Sequence, residues 1–399
     1  MESVGAGCTP RPPIHPQPAR RVLAVLFLGL LLDLLAFSLL LPLLPGLLES
    51  HSRARDPLYG SWQRGVDWFA IMIGMPAEKR YNSVLFGGLI GSGFSLLQFA
   101  SAPLAGAASD CVGRRPVLLL SLVGLAASYA VWAASRSFAA FLASRVIGGI
   151  SKGNVSLSTA IVADLSTPSA RSQGMAPSAA LGLRTAADLL SPLALLQFAA
   201  VARSQDPPGT DRLRSLRRLG LVYFLYLFLF SGLEHSLSFL VHQRFQFSSL
   251  QQGKMFFFIG VTMAAVQGTY ARLIRPGGEV AAVTRAMLLL VPGFLLIGWG
   301  RSLPALGLGL LLYAFAAAVV VPCLSSAVAG YGSPAQKGTV MGTLRSLGAL
   351  ARAVGPVVAA SVYWLAGAQA CFTTCAGLFL LPILLLRKLG HPTVSPKTE

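Results

Sequence analysis

Long apolar runs separated by short polar segments dominate the chain. Runs of about 20 apolar residues are long enough to cross the roughly 30 Å hydrocarbon core of a bilayer as helices. The pattern predicts ten such helices, at residues 22–45, 84–105, 116–134, 139–162, 220–241, 255–271, 285–300, 304–329, 343–365 and 369–386. Pro42 and Pro45 end the first run, because proline cannot continue a regular helix. The chain is therefore predicted to be an all-α polytopic membrane protein.

Two longer polar segments divide these runs. Residues 46–83 carry Trp62, Trp68 and Phe69 and are predicted to form a short amphipathic cap on one side of the membrane. Residues 190–202 are too short and interrupted to span, and we expect them on the membrane surface. The predicted organisation is a disordered cytosolic N-terminus at 1–21, a four-helix half bundle at 22–163, a cytosolic linker at 164–219, a six-helix half bundle at 220–388 and a cytosolic tail at 389–399.

The composition is typical of a membrane protein, and in such a protein a large positive charge indicates topology rather than nucleic-acid binding. Hydrophobic residues make up 54% of the chain and charged residues 12%, against about 25% charged residues in soluble domains. The formal charge of +18 would favour nucleic acid as a partner of a soluble protein. Here the basic residues concentrate in the segments that are cytosolic if the N-terminus is cytosolic, as the positive-inside rule requires. We therefore predict both termini in the cytosol, the lipid bilayer as the environment and no nucleic-acid partner.

Cysteine and histidine usage offers little for metal or enzyme chemistry. None of the five cysteines forms a CxxC pair, so neither a disulfide framework nor a zinc site is expected. Of the five histidines, only His235 is clearly placed within the membrane, and its neighbour in sequence, Glu234, points about 100° away around the helix. We expect no cofactor, no metal and no enzymatic activity.

Two carboxylates lie deep inside apolar runs, one in the first run of each half. They are Asp33 and Glu234. An ionised group at that depth costs about 2.5–3.5 kcal/mol on insertion scales, so membrane proteins that keep one usually place it on an ion or substrate path. We predict that these residues load and release protons. The alternative is that they form structural ion pairs with Arg145, Lys152 or Arg352.

A second set of polar residues completes the candidate path. Arg145, Gly149 and Lys152 share one stripe of the fourth predicted helix, where the two basic side chains can face a cavity and attract an anion. Arg352 offers a further positive charge in the second half. Arg145 has an alternative role as a helix-end residue whose guanidinium reaches the membrane surface.

Two motifs carry a family resemblance. The tight inside loop between the second and third helices contains Gly106, Asp110, Gly113, Arg114 and Arg115 in the pattern G-x-x-x-D-x-x-G-R-R. This loop resembles the signature loop of the major facilitator superfamily, which acts as a cytosolic latch. Gly355 and Pro356 resemble the family's Gly-Pro gating motif.

Asp33 followed by Pro42 and Pro45 resembles the first helix of the family's drug/proton antiporters, and the whole chain is similar to its tetracycline-transporter-like branch. The resemblance implies a helical bundle of two pseudo-symmetric halves. It also implies alternating-access transport of small organic anions, including drugs, in exchange for a proton or another anion.

One departure from the family opens a second hypothesis. The family has six helices in each half, whereas four plus six are predicted here, so we predict that the fifth and sixth are missing after Met175. Their loss would expose polar faces of the first and fourth helices to lipid or to each other. The alternative function is a transport-inactive membrane variant that acts as a scaffold or dominant-negative partner. The plasma membrane is the expected location, with an internal membrane such as the nuclear envelope as the alternative.

Overall fold

The described part of the computed structural model is helical, with short turns between helices. It comprises residues 16–38, 43–44, 46–47, 56–72, 82–112, 114–154, 157–158, 191–202, 209–274, 277–331 and 337–387. The helices are α1 (Pro16–Ser38), α2 (Pro57–Met72), α3 (Asn82–Val112), α4 (Arg114–Ala133), α5 (Phe138–Ser151), α6 (Pro192–Leu196), α7 (Ala199–Ala202), α8 (Thr210–Phe245), α9 (Ser249–Gly268), α10 (Tyr270–Leu273), α11 (Glu279–Trp299), α12 (Leu303–Tyr331), α13 (Lys337–Leu378) and α14 (Leu380–Arg387).

Each predicted span overlaps a described helix. Five helical stretches of the described chain are long and apolar enough to cross a membrane, at Arg115–Ala133, Thr210–Phe245, Glu279–Trp299, Leu303–Val328 and Val340–Arg387, and shorter apolar helices lie at Ala24–Asp33 and Phe138–Ser151. The last two predicted spans form one element, α13, which breaks at Gly367, where φ is 81°. The total of ten crossings stays a prediction, as do the half-bundle boundaries.

Two local details differ from the sequence-based expectation. Helix α1 begins at Pro16, so residues 16–21 of the expected disordered lead are helical. The fourth predicted span is interrupted: α5 ends at Ser151, Lys152 and Gly153 form a turn, and helix resumes at Asn154. The remaining N-terminal residues 1–15, the tail 388–399 and most of the linker lie outside the described residues.

The halves meet along α3, which packs against α13 and α8. The predicted glycine face of α3 makes this approach possible. A Cβ on Gly88 would lie 2.9 Å from the Cβ of Ala360 and 3.2 Å from the carbonyl oxygen of Pro356. Gly87 and Gly91 on the same face contact His235, which is buried, whereas Gly93 faces open space. Small residues at such positions let helix backbones pack closely within a membrane.

The segment 191–202 packs against the second half rather than lying free on the membrane surface. Its side chains Leu195, Phe198 and Val201 are buried, and helices α6 and α7 contact α13. Phe198 adopts a φ of 50°, which is uncommon for a residue with a Cβ. Its ring fits directly against Gly220 of α8, where a Cβ would be 2.5 Å from the ring. The expectation that this segment does not span agrees with its two short helices.

The outer cap expected at residues 46–83 contains α2, whose position is fixed by one carboxylate. Asp56 Oδ1 accepts from the backbone N–H groups of Leu58 and Tyr59 at 2.9 and 3.3 Å, and Asp56 Oδ2 accepts from the N–H of Phe138 at 2.8 Å. Asp56 therefore satisfies free donors at the start of both α2 and α5. Trp68 and Met72 remain exposed on the opposite face of α2.

Candidate functional site: a buried charge cluster

Asp33 of α1 lies at the centre of a polar cluster and is 7% exposed. Lys152 Nζ lies 2.7 Å from both carboxylate oxygens. Asn154 Nδ2 donates to Oδ2 at 2.9 Å, and the Tyr129 hydroxyl donates to Oδ1 at 2.8 Å. The turn at residues 152–153 brings Lys152 and Asn154 to the same carboxylate, which a continuous helix would separate by about 200°.

Arg145 of α5 is 3% exposed, so its guanidinium does not reach the membrane surface. Its Cζ atom lies 5.0 Å from the ring centroid of Trp132, 5.7 Å from that of Phe141 and 5.9 Å from that of Phe94. Nε donates weakly to Ser144 Oγ at 3.4 Å. Nη2 is buried and has no hydrogen-bond partner within the described residues.

A buried guanidinium held by aromatic rings gains cation–π attraction, but that attraction does not satisfy its N–H groups. Burying a charge without hydrogen-bonded partners is costly, and native structures usually avoid it. Arg145 therefore has an N–H group that could donate a hydrogen bond to an oxygen of a carboxylate or similar anion.

The second half contributes Glu234 of α8 and Arg352 of α13, both partly buried. Glu234 interacts electrostatically with Arg352 and is a hydrogen-bonding neighbour of Tyr313 on α12. Arg352 also lies within electrostatic range of Arg345. Glu234 therefore has a basic and a phenolic neighbour, whereas Asp33 has the tighter set of contacts.

The basic groups of the two halves lie close enough to repel one another. Lys152 is within electrostatic range of both Arg145 and Arg352. Among the described side chains at this centre, Arg145, Lys152 and Arg352 outnumber the carboxylates Asp33 and Glu234. The cluster thus carries an excess of positive charge, and an anion placed there would relieve repulsion between the halves.

The predicted gating motif lies where three helices meet. A Cβ on Gly355 would overlap the carbonyl oxygen of Phe228 on α8 and lie 2.6 Å from Ser231 Oγ. The next residue, Pro356, directs its carbonyl toward Gly88 of α3. Since proline leaves an intrahelical acceptor without its usual donor, this part of α13 can bend.

The signature-loop residues are only partly described. Helix α3 ends at Val112 and α4 begins at Arg114, so the connection is shorter than the predicted loop at 106–115, and Gly106 and Asp110 lie within α3. Gly113 lies outside the described residues, and the side chains of Gly106, Asp110 and Arg114 are likewise not described. Arg115 is exposed at the start of α4.

Sequence reasoning missed Tyr129, Asn154, Trp132 and Tyr313. Tyr129 and Asn154 lie 96 and 121 residues from Asp33 along the chain, so no local pattern links them. Asn154 was visible as a polar residue within an apolar run, which is the signal that identified Lys152. Trp132 and Tyr313 carry no such signal, because aromatic residues are common in membrane helices.

The described residues contain no group of three or more His, Cys, Asp or Glu side chains that could hold a metal ion. Cys323, Cys371 and Cys375 are free and buried.

Comparison with known proteins places these features in context. The family model for the Major Facilitator Superfamily matches residues 26–194. The human protein called major facilitator superfamily domain-containing protein 10 is 72% identical over 450 aligned positions, covering 99% of this chain and 99% of the human one. The class D tetracycline resistance protein of Salmonella ordonez is 24% identical over 411 positions, covering 90% of this chain and 95% of that protein.

Solved structures agree with the sequence comparison. The crystal structure of the human organic anion transporter MFSD10 (TETRAN) matches with a TM-score of 0.81 and 73% identity, covering 92% of this chain and 99% of that chain. An auto-inhibited peptide transporter of the POT family matches with a TM-score of 0.61 at 12% identity, covering 92% and 96%. The second match reflects a shared fold alone.

Proposed function

The chain belongs to the major facilitator superfamily, and on that premise we propose that it carries small organic anions across a membrane through the charge cluster at its centre. The observation that carries the proposal is Arg145, a buried guanidinium with an unpartnered Nη2. Arginine offers N–H groups in a planar fork that matches a carboxylate. The similar human structure is described as an organic anion transporter.

The surroundings of Arg145 favour anions that also carry an aromatic or apolar body. Phe94, Trp132 and Phe141 surround the guanidinium and offer ring surfaces for such a body. Ligand sites usually combine apolar walls with a few placed polar groups in this way. Aromatic carboxylate drugs fit that description.

The arrangement of charges supports transport by alternating access. The two halves of such transporters rock about a site near the bilayer midplane. Here Lys152 from the first half and Arg352 from the second repel one another when no substrate is bound. An anion between them would draw the halves together, while Gly355 and Pro356 provide a flexible point in α13.

Proton coupling belongs to Glu234 in this proposal, and Asp33 holds the first half together. Asp33 accepts hydrogen bonds from three side chains, and a proton on it would break the contact with Lys152. Glu234 has fewer neighbours and is easier to protonate without unfolding its surroundings. Binding of a proton there would remove its attraction to Arg352 and release that guanidinium to the substrate.

We place the protein in the membrane with both termini in the cytosol, because its basic residues follow the positive-inside rule in that orientation. The plasma membrane is the proposed location, and a proton or an exchanged anion is the proposed coupling partner. In this orientation α8 runs from the cytosolic to the outer face.

The test is flux of labelled benzoate into proteoliposomes of the purified chain, with and without an imposed pH gradient. We expect saturable flux that the gradient drives. Arg145→Gln should abolish it, whereas Arg301→Gln, which changes an exposed arginine, should leave it intact. Glu234→Gln should keep flux but remove its response to the gradient. Unchanged flux in Arg145→Gln would refute the assignment of the anion site.

A second function, a transport-inactive scaffold or dominant-negative partner, is favoured by one observation. The alignment to the human relative spans 450 positions although this chain has 399 residues, so that relative contains residues that this chain lacks. Loss of the fifth and sixth helices of the family, as the sequence predicts, would account for such a gap. A monodisperse, correctly inserted protein without benzoate flux would favour this function over transport.

A further inference from the structure

A second polar cavity lies well away from the central charge cluster. It has a volume of about 680 Å³ and lies at the C-terminal end of α8, beside the break in α13. Its lining consists of Leu240, His242, Gln243, Arg244, Gln246, Tyr363, Ala366, Gly367, Ala368 and Gln369. Volumes of about 300–1,000 Å³ are typical of small-molecule sites.

The distance from the central cluster follows from helix geometry. Gln243 lies nine residues beyond Glu234 on α8, which corresponds to about 13 Å along the helix axis. Tyr363 lies eleven residues beyond Arg352 on α13, or about 16 Å. The Tyr363 hydroxyl donates to Gln243 Oε1 at 3.0 Å and so ties the two helices together beside the cavity. Both helices connect the cavity to the central site.

Arg244 is held in place by the neighbouring helix. Its Nη1 donates to the carbonyl oxygens of Ile297 and Gly300, at 3.3 and 3.0 Å, at the C-terminal end of α11. The last carbonyls of a helix lack intrahelical donors, so a basic side chain is favoured there. These two bonds fix the guanidinium through Nη1, and Arg244 belongs to the lining of the cavity.

The glutamine amides around the cavity suit an anion, because each amide NH₂ offers two donors. His242 Nδ1 lies 3.2 Å from the Phe247 carbonyl, so its hydrogen serves that contact rather than a ligand. Gln246 and Gln369 add amide groups to the lining. No carboxylate belongs to the lining, so a cation would find no partner of opposite charge there.

We propose that this cavity is a separate binding site for small organic carboxylates, in which Arg244 is the charged partner and the glutamine amides are secondary donors. Under the orientation proposed above, the cavity opens toward the outer face. It would then bind substrate anions on the outer side of the Tyr363–Gln243 hydrogen bond, before they reach the central cluster. This collecting role depends on the proposed transport function, whereas the binding itself does not.

The experiment measures equilibrium binding of labelled benzoate to the full chain in nanodiscs of phosphatidylcholine. In an Arg145→Gln background the central site is removed, and one class of binding should remain. Adding Gln369→Glu places a carboxylate in the lining without touching the bonds of Arg244 to α11. It should weaken this remaining binding by about tenfold or more, because its negative charge repels benzoate and competes with it for Arg244.

The matched control is Gln369→Met, which has a similar size and no charge and should bind benzoate nearly as well as Gln369. Arg244→Lys keeps the positive charge and should retain part of the affinity. If Arg145→Gln shows no benzoate binding while its fold is intact, or if Gln369→Glu binds as tightly as Gln369→Met, the proposal is wrong.

A lipid headgroup could also supply a carboxylate to this cavity. A second binding experiment, in nanodiscs of different lipid composition, distinguishes a lipid from a carboxylate in solution. Nanodiscs containing phosphatidylserine should leave benzoate binding unchanged if the site takes solution carboxylates. Complete displacement by phosphatidylserine would overturn the proposal in favour of a lipid site. If the protein binds benzoate in the Arg145→Gln background but the unaltered chain shows no benzoate flux, the binding-site proposal is supported and the proposed transport function is not.

Discussion

Removing either partner of the Asp33–Lys152 pair should destabilise the fold far more than removing both. In Lys152→Met, the Asp33 carboxylate keeps Tyr129 and Asn154 but loses the group that contacts both of its oxygens at 2.7 Å. The two side chains are only 6% and 10% exposed, so water cannot replace the ammonium. Breaking a buried pair in this way costs about 3–5 kcal/mol. Asp33→Asn removes the negative charge that faces the ammonium at 2.7 Å, and we expect a cost of similar size.

The double variant Asp33→Asn, Lys152→Met removes both charges and leaves two neutral side chains of similar shape. Its cost should lie well below the sum of the single costs, since no uncompensated charge remains. The assay is the free energy of unfolding of the purified chain, measured by titration with dodecyl sulfate in mixed micelles. Single-variant costs that simply add in the double variant would refute the reasoning, because they would show that the two residues act independently.

Two further predictions concern close helix contacts. Gly355→Ala places a methyl group against the carbonyl of Phe228 and should lower the free energy of unfolding by about 1–3 kcal/mol. The control Gly377→Ala lies on the same helix and faces open space, so it should be neutral or slightly stabilising. Equal effects of the two substitutions would contradict this prediction. Gly220→Ala should displace the Phe198 ring and increase the rate at which a protease cleaves the segment 191–202. The double variant Gly220→Ala, Phe198→Ala should be cleaved no faster than Phe198→Ala alone. An unchanged cleavage rate in Gly220→Ala would show that this contact is not required.

The membrane class, the helix positions and the family were predictable because they depend on local patterns. Apolar runs mark helices wherever they occur in the chain, and the motif around Gly106 and Asp110 has a fixed spacing. The all-α fold and the resemblance to the major facilitator superfamily are confirmed by the match to the human relative and its structure. The count of four plus six helices stays a prediction.

The candidate site was predictable only as a set of separate residues. The sequence identified Asp33, Arg145, Lys152, Glu234 and Arg352, because a charge inside an apolar run is conspicuous. It did not identify their partners, since a pair such as Lys152 and Asp33 is formed by tertiary packing over 119 residues. The interruption of α5 was also missed. Gly153 directly follows the C-cap residue Lys152, which is a common position for glycine at a helix end, but a single glycine within an apolar run is also common in membrane helices.

The long separation between Asp33 and its partners has a consequence for biosynthesis. Lys152 follows Asp33 by 119 residues, so at about 5–20 residues per second the ribosome needs about 6–24 s to produce the ammonium after the carboxylate. Helix α1 must therefore enter the membrane while its acid is still unpaired. The insertion cost of about 2.5–3.5 kcal/mol falls on that helix alone. Its many leucines, exposed on the finished protein, are what make early insertion possible, so polar substitutions at Leu28 or Leu32 should impair biogenesis more than they destabilise the folded protein.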